Sequence, residues 1–157
     1  MYYIISNSAF NKENLNQLEK NYSFSHGIYK DGKSVSELSN LFYQSTLLIM
    51  DNFNIDVSKK IVTRLRLGMT TAFGEPIVNN PHTDLINEKH EVILLYLNES
   101  DGDTYFYKDN KIIEQVTPKL NRAVYFDGSI THSSSKPVNN TYRIVLNVNI
   151  KDKKWKN

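Results

Sequence analysis

The sequence contains no cysteine, which excludes a disulfide framework and any thiolate metal site, so a bound metal must be held by nitrogen and oxygen. It also lacks an apolar run of the roughly 18 residues that a helix needs to cross a bilayer. The opening MYYIISNSAF has neither the basic start nor the long apolar stretch of a secretory signal, so a cytoplasmic location is the expectation. Excess charge is missing too: 19 Lys and Arg against 17 Asp and Glu leave a net +2, too little for a nucleic-acid-binding field. The ten tyrosines and seven phenylalanines are dispersed rather than interleaved with cations, and the one basic run, Lys151, Lys153, Lys154 and Lys156, reads as a solvated tail. No repeat or low-complexity linker interrupts the 157 residues, which fit a single domain over 1–157.

What is present is a helical pattern followed by β texture. Tyr2 to Ile5 reads as a short strand and Asn11 to Lys20 as a short polar helix. Ser34 and Glu37 have capping-box spacing, and Val35, Leu38, Leu41, Phe42, Ser45, Leu48 and Ile49 then recur at helical intervals through about Phe53. The expected organisation is a helical buttress over about 11–56 and a β-barrel core over about 61–150. Short runs at 61–67, 91–98, 103–108, 111–116, 122–127 and 142–150 are rich in β-branched and aromatic residues and separated by turn residues. Asp109 and Asn110 suit a tight hairpin turn, and Asp101 with Gly102 suits another.

In the last run, Tyr142, Ile144, Leu146, Val148 and Ile150 share one face by the strand period of two, and Arg143, Val145, Asn147 and Asn149 share the other. The first face suits packing under a helix. The second puts a cation and two amides on a strand that otherwise looks central, which is explained by a polar cavity of the jelly-roll or cupin kind. An edge strand with one wet face is the alternative.

His82 and Asp84 stand two apart in NNPHTDL, so an extended backbone would send both side chains the same way. Pro81 favours extended geometry just before them. His132 follows in FDGSITHSSS. Two imidazoles and a carboxylate are the facial triad of non-haem Fe(II) oxygenases, which leaves half the coordination sphere open. The same three donors plus water also describe catalytic zinc. His90 lies eight residues from His82, a spacing that suits neither a helix face nor a strand; it and His26 read as surface residues. Arg143, eleven residues past His132, offers a planar two-pronged cation that would need an anionic partner if buried, either a bound carboxylate or a protein group such as Asp127.

Taken together, HTD at 82–84, YLN at 96–98, GDTYFY at 102–107, NRAVYFDGSITHSS at 121–134 and YRIVLNVNI at 142–150 resemble the 2-oxoglutarate/Fe(II)-dependent dioxygenase superfamily, specifically its small prolyl-4-hydroxylase-like members of bacterial or phage type. The resemblance spans about 61–150. It implies a mainly β (α+β) fold, a double-stranded β-helix (jelly-roll or cupin-like barrel) buttressed by N-terminal helices. It implies Fe(II) on His82, Asp84 and His132, and 2-oxoglutarate with its distal carboxylate on Arg143 and Tyr96 and with Asn147 near the metal end. Dioxygen would be consumed, with ascorbate as an accessory reductant in some members. The implied reaction is hydroxylation of an unactivated C–H bond with release of succinate and CO2, on a peptidyl, prolyl-like side chain or on a free amino acid or small metabolite. Halogenases of the superfamily replace the carboxylate ligand by a small residue, which Asp84 argues against. A non-catalytic cupin-like metal-binding module is the other reading. The stretch from Met69 to Asn80 matches no motif of the family. Arg64 and Arg66 alternate with Leu65 and Leu67 and could face the cavity and select an anionic substrate, or be salt-bridged.

Overall fold

The computed structural model describes residues 23–153; the strand read at Tyr2 to Ile5 and the helix read at Asn11 to Lys20 lie outside them. The architecture is mainly β, built from two antiparallel sheets. In chain order the elements are β1 (Ser23–Lys30), β2 (Lys33–Ser34), α1 (Ser39–Asn52), β3 (Lys60–Thr71), β4 (Glu91–Tyr96), β5 (Thr104–Lys108), β6 (Lys111–Val116), β7 (Ala123–Asp127), β8 (Thr131–Ser134) and β9 (Tyr142–Asp152). The larger sheet runs β2-β1-β3-β9-β4-β7 and the smaller β6-β5-β8.

β9 is central, pairing with β3 from Thr71↔Tyr142 to Lys60↔Asp152 and with β4 from Tyr96↔Val145 to Glu91↔Ile150. Its alternation divides the two faces as the sequence pattern predicts. Leu146, Val148 and Ile150 are fully buried with Val62, Leu65 and Ile93 beneath α1, against Met50, Phe42 and Tyr43. Each such side chain contributes about 1.5–3 kcal/mol of burial. Arg143, Asn147 and Asn149 are also buried, but on the inner face between the sheets. The β3–β9 register skips a residue between Val62 and Arg64. That bulge keeps Val62 and Leu65 both in the core and turns Arg64 and Arg66 inward, opposite Asn149 and Asn147.

Several elements differ from the sequence-based expectation. The supposed helical buttress over 11–56 contains the hairpin β1–β2, whose turn takes Asp31 and Gly32 to positive φ (50° and 79°). Pairing with β1 takes up Lys33 and Ser34, so the capping box is not formed. Helix α1 starts at Ser39 instead, with Leu38 at its cap position and no side-chain cap. The helix is also rotated from the expected stripe: Thr46 and Met50 are buried while Leu41 and Leu48 are 63% and 68% exposed. Thr46 can be buried because its hydroxyl donates to the Phe42 carbonyl at 2.7 Å. Among the described residues there is one helix rather than several.

Asp109 and Asn110 do form the β5–β6 turn, both at positive φ (50° and 60°). Asp101 and Gly102 do not form a hairpin, because β4 and β5 lie in different sheets. Instead the Asp101 carboxylate accepts backbone N–H bonds from Val138 (3.1 Å), Asn139 (2.7 Å) and Asn140 (3.3 Å), pinning the corner where the chain crosses between sheets. The basic tail is partly structured, since β9 continues through Lys151, which pairs with Glu88. No helix among the described residues is long and apolar enough to cross a membrane.

Candidate metal centre and carboxylate pocket

Residues 78–82 run beside β8, extending the smaller sheet through two isolated bridges, Val78↔Ser135 and His82↔His132. His82 and His132 exchange both backbone hydrogen bonds at 2.9 Å, which sets their rings 4.8 Å apart, centroid to centroid. The segment bends after His82 instead of staying extended, yet the bend still delivers Asp84 inward. One donor atom from each of His82, Asp84 and His132 lies within 4.8 Å of the others, so the three could hold a single metal ion.

Local contacts prepare each donor. His82 Nδ1 lies 3.1 Å from the Asn80 carbonyl and His132 Nδ1 lies 3.1 Å from the Ile130 carbonyl. Both contacts favour the tautomer with the proton on Nδ1, which frees Nε2 to ligate. Phe126 meets the His132 ring edge-on at 5.0 Å and Phe106 packs against Phe126, so this imidazole sits in an apolar wall. Burial lowers the His132 pKa from its ordinary value, against opposing effects of the Ile130 carbonyl and Asp84. Burial would raise the Asp84 carboxyl, but Arg64 and hydrogen bonds from Asn149 and Asn147 outweigh it and hold the pKa down at about 2. Arg64 Nη2 is 3.1 Å from Oδ1, and the two amides donate to Oδ2 at 2.8 and 2.9 Å.

These shifts define a pH window for the metal-free chain. His132 is depressed below the unfolded value near 6.5, so its contribution to stability is complete above about pH 6.5 and declines as pH falls toward the folded value. Asp84 is depressed from 3.8 to about 2, so its contribution of about 2 kcal/mol persists down to about pH 4 and is lost as pH falls through 2. Urea melts should show stability declining already between pH 6.5 and 5, with His132→Gln flattening that limb.

Arg143 is 5% exposed, and its Nη2 donates to Thr104 Oγ1 at 2.8 Å. The Tyr96 hydroxyl, fully buried, donates to the same oxygen at 2.7 Å, and the guanidinium lies 5.5 Å from the Tyr96 ring centroid. Arg143 Nε is buried without a partner, and no described carboxylate, Asp127 included, forms an ion pair with it. Burial lowers its pKa and raises that of Tyr96. A buried guanidinium with one N–H left unpartnered has the donor geometry to take a two-pronged bond from a carboxylate. A cavity of about 80 Å³ is lined by residues of both clusters, His82, His132 and Asn147 from the first and Arg143 and Thr104 from the second, together with Leu94.

The structure thus brings together His82, Asp84, His132 and Asn147 at one end, and Arg143 with Tyr96 at the other. Thr104 and Asn149 are additions: Thr104 alternates with Phe106 toward the interior of β5, a period-two signal in DTYFYK, and Asn149 stood on the polar face of β9. His90 is not a surface residue. It is 3% exposed, with Nδ1 2.7 Å from the Glu88 carbonyl and its ring packed over Gly128, where a Cβ would come within 2.2 Å of Nε2. His26 is half-buried, 2.9 Å from Ser36 Oγ.

Gly102 is where backbone geometry protects the pocket. A Cβ there would meet the Ser135 carbonyl at 2.8 Å, Pro137 N at 3.0 Å and Arg143 Cδ at 3.1 Å. Gly102→Ala is expected to cost about 1–3 kcal/mol, lowering the melting temperature by several degrees in calorimetry.

No family model matches the sequence, and no curated protein matches it. Solved structures do match in fold. An oxidoreductase of the 2OG-Fe(II) oxygenase family from Burkholderia pseudomallei superposes with a TM-score of 0.66 at 11% identity, over 90% of this chain and 80% of that one. A prolyl hydroxylase from Trichoplax adhaerens, in complex with a hypoxia inducible factor peptide, gives 0.57 at 14% identity over 89% and 74%. A prolyl-4-hydroxylase from Pseudomonas putida gives 0.54 at 15% identity over 87% and 75%. The chain has the fold shared by these three enzymes.

Proposed function

We propose that the chain is a single-domain non-haem Fe(II) dioxygenase dependent on 2-oxoglutarate, and that its two sheets form a double-stranded β-helix. The observation that carries the reading is Arg143: a buried guanidinium with a free Nε lines the same cavity as His82 and His132, which form one cluster with Asp84. The donor set fits the metal, since two neutral imidazoles and one carboxylate suit Fe(II) and leave one side open. The pocket fits the co-substrate, since its distal carboxylate would take a two-pronged bond from Arg143 with hydroxyls from Thr104 and Tyr96 beside it.

In this reading His82, Asp84 and His132 hold the metal through Nε2, a carboxylate oxygen and Nε2. Asn147, Asn149 and Arg64 fix the Asp84 carboxylate and keep it ionised. Phe106, Phe126 and Leu94 exclude water from the inner wall. When bound, the iron and its co-substrate supply oxidation of a C–H bond by dioxygen, coupled to conversion of 2-oxoglutarate to succinate and CO2. The substrate we infer is a peptidyl, prolyl-like side chain or a free amino acid, supported by the likeness to the two prolyl hydroxylases. Slow uncoupled release of succinate, dependent on both added Fe(II) and 2-oxoglutarate and absent with Zn(II), is the expected assay result. Zinc-supported activity without 2-oxoglutarate would overturn the reading.

A further inference from the structure

The geometry points to Arg66 as the anion-recognising residue of the prime substrate, which would present a carboxylate or phosphate group beside the bond to be oxidised. This rests on the oxygenase reading. Arg66 stands on β3 opposite Asn147, facing inward, and lines both the inner cavity and a wider mouth of about 330 Å³ that shares His82 and Arg143 with it. Both arginines have an Nε buried without a hydrogen-bond partner, but Arg64 is ion-paired with Asp84, whereas Arg66 has no hydrogen bond or ion pair with any described residue. Burial and the neighbouring Arg64 both penalise its charge, and Asp84 offsets only part of that. A cation kept in such a place costs stability unless a ligand compensates it, a pattern of functional sites.

Charge balance gives the ligand its sign. Arg64, Arg66 and Arg143 face the interior against Asp84 of the metal cluster and Asp103, which favours the charge of Arg143. A divalent metal raises the positive excess, and the two carboxylates of 2-oxoglutarate neutralise only part of it, with Arg143 placed to take the distal one. The mouth adds no acid: the charged described residues lining it are Arg66, Lys136 and Arg143. Its volume falls at the lower end of the usual range for small-ligand pockets, about 300–1,000 Å³, enough for a group of amino-acid size. A guanidinium grips a planar carboxylate or a phosphate with two parallel bonds, which fixes the orientation of what it holds as well as its charge.

The test uses the full chain loaded anaerobically with Fe(II) and 2-oxoglutarate, titrated by calorimetry with N-acetyl-glutamate, O-phosphoserine and the neutral control N-acetyl-glutamine. At least one anionic probe should bind, and the neutral one should bind more weakly. Arg66→Gln should weaken the anion by about tenfold or more and Arg66→Lys by less. Neither variant should change 2-oxoglutarate affinity, and Arg66→Gln should melt at the wild-type temperature or above. The assignment is overturned if no anionic probe binds, if Arg66→Gln binds it as tightly as wild type, or if that variant instead loses 2-oxoglutarate. Arg66-dependent anion binding in a protein that shows no Fe(II)- and 2-oxoglutarate-dependent visible band would leave the anion site standing and sink the oxygenase reading.

Discussion

His132→Ala is expected to abolish metal binding and with it all 2-oxoglutarate-dependent turnover. The substitution removes a buried donor whose ring is held on three sides: by the backbone pairing with His82, by the Ile130 carbonyl at Nδ1, and by the edge of Phe126. Nothing can swing into the gap. The other buried histidine, His90, is anchored to Glu88 and wedged over Gly128, and no described Cys, Asp or Glu joins the cluster beyond Asp84. Loss of an outer partner of a metal ligand typically costs about 10–100-fold in affinity, so loss of the ligand itself should exceed about 100-fold. Equilibrium dialysis against Fe(II) or Mn(II) measures it, and a far-UV spectrum matching wild type separates loss of metal from loss of fold.

Arg143→Ala should separate the two ends of the cavity. Metal affinity is expected to stay within a few-fold of wild type, because Arg143 contacts Thr104 and Tyr96 and touches none of the three donors. Affinity for 2-oxoglutarate should fall by about 30-fold or more, since truncating one partner of a buried charged pair costs at least about 2 kcal/mol. The folded chain without ligand should not suffer. Removing a buried guanidinium that lacks an anion relieves a desolvation penalty, which offsets the lost packing against Tyr96. Calorimetry with the metal-loaded variant reads both quantities, and equal co-substrate affinity would remove Arg143 from the pocket.

The parts of this architecture that sequence disclosed are those in which local pattern and tertiary environment agree. The alternation of β9 was legible because one face meets α1 and the core while the other meets a polar cavity, so polar and apolar residues alternate along the strand except at Val145. The convergence of His82, Asp84 and His132 was legible from residue chemistry and spacing, although Asp84 reaches the cluster through a bend rather than through the strand pleat. Less was legible where a long-range partner decides. Ser34 and Glu37 satisfy a capping rule locally, but β1 claims Ser34 first, and the inward face of the helix is set by Ser39, Thr46 and Met50, the hydroxyls of the first two being silenced by the Ile28 and Phe42 carbonyls. Strand β1 itself is polar and edge-like over SFSH, and β8 is four residues of Thr, His and Ser, so neither carries an apolar signature. The period of two turned Thr104 inward with Phe106, but its place in the pocket depends on two partners, Tyr96 and Arg143, that the fold brings from 8 and 39 residues away. His90 was misread for the opposite reason: spacing showed that it could not share a metal with His82, and burial over Gly128 is a property of the packed structure alone.

The central claim is that one divalent ion and one dicarboxylate share a single cavity, gripped from its two ends. Anaerobic titration with Fe(II) and then 2-oxoglutarate, followed by visible absorption, tests this most directly. The account predicts one Fe(II) per chain and a weak visible band that appears only when both are present, lost in His132→Ala and shifted to much higher 2-oxoglutarate concentration in Arg143→Ala. Iron binding of normal stoichiometry with no band at any concentration of 2-oxoglutarate would contradict it.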